Sequence, residues 1–325
     1  MPANMKNGVG AVPWVKIVPI VILFFLLPLF LDDSALSLIS EALLLALAGT
    51  ALNILLGGCG IVSFGHAGFF AVGAYTFGLL LYHHLASFWI AIIFAILAVL
   101  LYAIIVGWFV VRLVEIYFAL LCFAFAQIIW MITCLWFGAT GGDDGLNGIP
   151  TPDFLYSISN RYYFILIAMG VCLLAIYLMR ESPFGRYLHA LRDNRTRAAF
   201  IGINTRQCIY VAFVISGLFC GIAGILMIIQ LPSAFPSYGS FVKSGDFLFV
   251  CLLGGMYNFI GPLVGAFLMI FLNFFISRYT QYWPLCMGLG IILIALFFRG
   301  GVTGFITEGY RARKVNRRRL NDPAS

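Results

Sequence analysis

Apolar side chains run through this sequence in long continuous stretches. They show neither the one-sided stripe of a surface helix nor the alternation of a half-buried strand. Between polar or glycine- and proline-rich breaks, the stretches lie at roughly 15–31, 36–56, 66–84, 88–111, 114–137, 161–180, 207–230, 244–256, 259–277 and 282–298. Most approach or exceed the roughly 20 residues that carry a helix across the hydrocarbon of a bilayer. The eighth is short and could form a re-entrant or bent pair with the ninth. The runs are continuously apolar and lack dyad alternation, which speaks against a membrane barrel. The pattern predicts an all-α polytopic transmembrane bundle of about ten spans, one domain over 1–325, with short or broken helices in its core. The start, "MPANMKNGVGAVPWVKIVPIVILFFLLPLF", has lysines before an apolar core but no small-residue cleavage site, so it reads as a retained first span.

Composition agrees. With 63% hydrophobic and 10% charged residues, the chain is far from the roughly 25% charge of globular domains. The net charge of +7 is informative through its placement. Ten spans put both termini on one side, with Lys6, Lys16, Arg112, Arg180, Arg186, Arg192, Arg195, Arg197, Arg206 and the basic tail at about 299–325. Only Arg161, Lys243 and Arg278 fall opposite, so the positive-inside rule makes the termini cytoplasmic. The tail "RARKVNRRRLNDPAS" then reads as a topology signal touching anionic membrane lipid, with no nucleic acid implied. The eight cysteines contain no C-x-x-C pair and lie almost entirely in apolar runs, as packing residues do.

Three segments depart from plain helix. In "GGCGIVSFGHAGFFAVGAY", residues 57–75, neither a dinucleotide fingerprint nor a Walker A loop is present, and none occurs elsewhere. Irregular backbone at membrane depth must be buried in protein or line a wet cavity, so a turn or unwound segment is expected before the third span. Gly65, Gly68 and Gly73 would admit close helix approach, and Asn53, Ser63 and His66 bring polar groups there. Two readings stay open: satisfied packing, or a translocation path that also takes in Gln127 of the fifth run. The second segment, "TGGDDGLNGIP", is turn-rich and lacks calcium-loop spacing. The third is the loop at about 181–206. Pro183 and Gly185 break the preceding helix, and Phe184, Leu188 and Leu191 share a face. Asn194 can cap a short helix that Gly202 ends. Such a loop should dock on a cytosolic partner, with a lipid surface as the alternative. Gly217, Gly221 and Gly224 form a packing ridge on the seventh run, and "GPLVG" repeats that device.

Taken together, "LNILLGGCGIVSFGHAGFFAVGAY", "TGGDDGLNGIP", "SPFGRYLHALRDNRTRAAFIGI", "AFVISGLFCGIAGIL" and "LLGGMYNFIGPLVGA" resemble the LivM-type permeases of bacterial branched-chain amino acid ABC importers, within the LivM/LivH superfamily. The resemblance implies an inner-membrane permease without its own ATPase site or cofactor. Its implied partners are a LivH-like second permease, two cytosolic ATP-binding subunits that hold the ATP, and a periplasmic substrate-binding protein. It also implies that the loop couples to the ATPases through Gly185, Arg186, Arg192, Asn194, Ala198 and Gly202. Thr196 stands where the general importer pattern has a glutamate. Urea or another amide or amino acid remains open as substrate. The rival classes are an ion-coupled secondary transporter, which normally carries buried Asp, Glu or His relays, and a channel-like pore. An enzyme has little support, because Ser63 and His66 lack a third partner in sequence.

Overall fold

The computed structural model describes residues 19, 22–113, 115–279, 281–282, 285, 288–290, 292 and 301–304. Part of the first expected crossing, most of the tenth and most of the basic tail lie outside the described residues. Every crossing expected from the second to the ninth is a helix, with ends displaced by three residues or fewer. They are α1 (Asp33–Cys59), α2 (His66–Tyr82), α3 (Phe88–Val110), α4 (Glu115–Leu135) and α5 (Ile158–Glu181). After the 181–206 loop come α8 (Thr205–Gln230), α9 (Phe241–Gly254) and α10 (Gly261–Tyr279). The loop itself is helical, as α6 (Pro183–Asp193) and α7 (Arg195–Phe200). Among the described residues, α1, α3, α4, α5, α8 and α10 are long and apolar enough to cross a membrane. The 17-residue α2 and the 14-residue α9 are the short helices of the core.

Position in the bundle follows from hydrophobicity. α1 is apolar all round, and 89% of its most apolar window is buried, as such a helix requires. It packs against α8, α10, α5 and α9, while α2 packs chiefly against α8 and α3. α3, α4, α5 and α10 form the outer layer and turn Ile, Leu, Val and Phe outward. Residues 22–29 rest on this layer, with Tyr162 Oη donating to the Phe24 carbonyl at 2.7 Å.

Between helices that all leave a lipid environment, apolar burial contributes little, and association depends on close packing. Here the packing reaches the backbone. A Cβ added at Gly73 would collide with the Gly221 carbonyl, and one at Gly224 with the Phe70 carbonyl, so α2 and α8 touch main chain to main chain. Gly217 lies against the Phe69 ring. On the opposite side of α2, a Cβ at Gly65 would stand 2.6 Å from the Cys122 carbonyl oxygen. One at Gly68 would lie 2.9 Å from the Tyr102 hydroxyl and 3.1 Å from Ala126 Cα. Gly254, Gly261 and Gly265 make the same kind of seam between α9 and α10.

The break between α1 and α2 falls later than its glycine count suggests. Gly57, Gly58 and Cys59 stay helical, Gly60 turns the chain with φ 71°, and residues 60–65 run back along α1. α2 then starts level with Ala51, to which it is linked through Ser216. Ala51 lies eight residues before the end of α1, about 12 Å along the axis. At its far end α2 meets a two-stranded ribbon, β1 (Leu146–Asn147) antiparallel to β2 (Ser233–Ala234), with Leu146 opposite Ala234. Tyr75 Oη donates to the Ala234 carbonyl at 3.4 Å. From this ribbon a 3-10 turn, Pro236–Gly239, leads back toward the interior and into α9. Cys251 Sγ of α9 donates to the Gly49 carbonyl at 3.1 Å, so α9 descends beside α1.

Candidate functional site

Two regions gather the residues that the sequence singled out. The first is the junction between the start of α2 and the first turn of α9. Ser63, His66, Ser216 and Ser244 have no exposed surface. His66 Nδ1 lies 3.1 Å from Ser63 Oγ, and Nε2 lies 2.7 Å from Ser216 Oγ. Ser216 Oγ also reaches the Ala51 carbonyl at 2.6 Å. A hydroxyl has one proton, and a carbonyl only accepts, so Ser216 donates to Ala51 and accepts from His66. Nε2 therefore carries a proton directed at Ser216, and Nδ1 lies within hydrogen-bond reach of the Ser63 hydroxyl. One chain of donors joins the broken segment, α2, α8 and α1.

The first turn of α2 has orphan N–H groups, as any helix start does. Ser244 of α9 takes one of them, accepting from Ala67 N at 3.1 Å. Gly65 N donates to Ser63 Oγ at 3.4 Å. Cys220 Sγ donates to the His66 carbonyl at 3.3 Å, and the seven described cysteines are all free. Ser216 and Ser244 were not singled out from sequence, although Ser216 directly precedes the Gly217 ridge and shares its neighbourhood.

Asn53 and Gln127 stand apart from this network. Asn53 Oδ1 and Gln127 Nε2 are buried and have no hydrogen-bond partner among the described residues. Asn53 lines a cavity at the Cys59 end of α1, whereas Gln127 lies on α4. The four polar residues grouped by sequence thus occupy three places, and only Ser63 and His66 touch.

The second region is the helical loop. Asn194 caps α7, its side chain accepting from Arg197 N at 2.9 Å. Gly202 ends α7 with φ 88°, a conformation suited to glycine. Gly202 N donates to Ala199 O and Ile203 N to Ala198 O, the paired closure of a Schellman motif. Gly185 presses against the backbone of Arg180, where a side chain would collide. The apolar face expected to meet a partner is instead turned inward. Leu188, Leu191 and Ala198 are buried, and Leu188 packs on Gly58 of α1. Arg192 also points inward, donating from Nη1 to the Gly57 carbonyl at 2.8 Å with its guanidinium 4.2 Å from the Tyr257 ring.

What the loop leaves uncovered is a different set. Phe200 is 87% exposed and Ile201 is 75% exposed at the tip of α7, and Arg186, Tyr187 and Arg197 are exposed nearby. Burial and the positive charges of Arg180 and Arg192 hold His189 of α6 below the usual histidine range, with Asp193 and Glu181 opposing.

The family described as branched-chain amino acid transport system / permease component matches residues 34–299. The chain is similar to the high-affinity branched-chain amino acid transport system permease protein LivM of Escherichia coli K12. They are 25% identical over 310 residues, 87% of this chain and 73% of that protein. The LivM protein of Salmonella typhimurium is 25% identical over 84% of this chain and 70% of its own length. A ribose import permease, RbsC of Haemophilus influenzae, is 30% identical over 39% of this chain and 37% of its own. No solved structure matches the chain.

Proposed function

The chain belongs to the family of permease components of branched-chain amino acid transport systems, and from that premise we propose that it carries leucine, isoleucine and valine across the bacterial inner membrane as one subunit of an ABC importer. It is a multi-pass membrane protein of the ABC permease kind. The observation that carries the substrate reading is coverage: the LivM relatives align along 87% and 84% of this chain, the ribose permease along 39%. The proposed partners are a second LivH-like permease, two cytosolic ATP-binding subunits and a periplasmic binding protein. Both termini and the 181–206 loop are assigned to the cytoplasm on the skew of basic residues.

ATP hydrolysis is then coupled through the loop. Capped at Asn194 and closed at Gly202, α7 presents Phe200 and Ile201 to an apolar groove on an ATP-binding subunit. Arg192 and the buried leucines fix the other side of the loop to α1, so a push on α7 reaches the broken α1–α2 segment. What favours an ABC importer over an ion-coupled carrier is the family match along most of the chain.

The test is reconstitution of the assembled transporter in vesicles. Leucine with its binding protein should stimulate ATP hydrolysis, and Phe200→Asp should reduce that stimulation at least about tenfold while the permease remains inserted. Stimulation by ribose or urea in place of leucine would overturn the substrate, and an unaffected Phe200→Asp transporter would remove α7 from the coupling.

A further inference from the structure

A cavity between α1, α5, α6 and the turn joining α9 to α10 has no role in the reading above. Its interior has room for water-sized groups over about 40 Å³, and it opens into a wider mouth at Arg180. Its walls include Asn53, Ile176, Met179, Arg180, His189 and Phe259. Arg180 is the penultimate residue of α5, where a spanning helix meets the headgroup layer.

The arginines here make no contact ion pair among the described residues. Arg180 Nη2 donates to the Tyr257 carbonyl at 3.4 Å, with its guanidinium 6.0 Å from the Phe259 ring. Arg192 reaches only the Gly57 carbonyl and the Tyr257 ring. Among the described residues the one ion pair is Lys243–Asp246, so neither arginine has a carboxylate within ion-pair distance. Glu181 and Asp193 lie near enough to act on Arg180 and His189, yet both are exposed. Beside these cations, Asn53 Oδ1 is a buried acceptor with no donor among the described residues. A buried acceptor gains about 1–3 kcal/mol from a donor, so Asn53 Oδ1 favours a ligand that offers a hydroxyl.

A ligand that matched all of these groups would bring an anionic oxygen for a guanidinium, a hydroxyl for Asn53 and apolar bulk for Ile176, Met179 and Phe259. Inorganic phosphate lacks the third property, and a zwitterionic lipid offsets the first with its own cation. We propose that this cavity binds the headgroup of an anionic phospholipid of the phosphoglycerol type, with its phosphodiester on Arg180 and a glycerol hydroxyl donating to Asn53 Oδ1. Basic pockets between spanning helices on the cytoplasmic side suit such headgroups. The outward apolar face of α5, with Leu174 and Leu178 exposed within two turns of Arg180, offers the acyl chains a surface. A lipid seated here touches α1, α6 and the α9–α10 turn at once, and so holds the docking loop to the bundle. The proposed orientation enters only in assigning the inner leaflet.

The experiment is native mass spectrometry of the assembled transporter released from detergent. It is paired with thermal unfolding in phosphatidylcholine vesicles with and without phosphatidylglycerol. Phosphatidylglycerol should remain bound and raise the unfolding temperature. Arg180→Gln should weaken retention roughly fivefold or more, the equivalent of about 1 kcal/mol per arginine near the membrane surface. Arg180→Lys should keep part of the effect, and Met179→Trp, which fills the cavity without altering charge, should abolish retention. Equal stabilisation by millimolar inorganic phosphate would make the ligand a free anion and overturn the lipid assignment. Equal retention by wild type, Arg180→Gln and Met179→Trp would place the lipid elsewhere and overturn the site.

Discussion

His66 and Ser216 are 150 positions apart in the chain, yet the imidazole Nε2 lies 2.7 Å from the serine hydroxyl in a fully buried site. Because Ser216 spends its own proton on the Ala51 carbonyl, it serves His66 only as an acceptor. Ser216→Ala leaves a ring N–H unpaired in an apolar interior and is expected to cost about 1–3 kcal/mol. His66→Ala should cost at least as much, and the double variant should fall short of the summed losses because the two residues share one network. Chemical unfolding of the purified permease in detergent measures this. Strict additivity would show that the network does not act as a unit.

Gly224 and Gly170 offer a matched pair of helix glycines. The first abuts the Phe70 carbonyl, whereas nothing lies within 4 Å of a Cβ added to the second. Gly224→Val is expected to push α8 from α2 and abolish recovery of folded permease. Gly170→Ala should be neutral or stabilise by up to about 1 kcal/mol through helix propensity. Size-exclusion profiles of the two purified variants report the difference, and a monodisperse Gly224→Val protein would contradict the backbone contact.

Acid should loosen the 181–206 loop. Burial and the neighbouring arginines favour neutral His189 in the folded chain, so its folded pKa is depressed below the unfolded value. The unfolded chain takes up this proton first, and the stability is present above about pH 6.5 and lost as pH falls below it. Amide exchange in α6 should therefore accelerate, relative to its intrinsic rate, between about pH 7.5 and 5.5. His189→Gln should flatten that dependence. An unchanged pH response in the variant would assign it to another group.

The helices were legible because length and continuous apolarity specify them without reference to neighbours. The break stands before α2, where a turn or unwound segment was expected, and the residue at which it starts has a physical reason. Gly57 and Gly58 weaken a helix in water, but here Met256 and Leu188 close over them, and the chain leaves the helix only at Gly60. Ser63 and His66 could be recognised as polar groups in an apolar run, whereas Ser216 and Ser244 became meaningful only when helix register brought them alongside. The loop taught the converse lesson. An apolar face at Leu188 and Leu191 is visible in sequence, but the pattern does not say whether it is filled by another protein or by the same chain. It is filled by the same chain, and Phe200 and Ile201 are left outside.

The contact of α2 with α8 has a mechanical consequence. Side chains can exchange rotamers and let two helices slide, but peptide groups in direct contact have no such slack. Gly73 on Gly221 and Gly224 on Phe70 therefore weld the two helices into a single keel, with α1 fastened to it by Ser216. Under the proposed function, a path down the middle of this chain would have to break that weld, whereas a path along its edge would leave it whole.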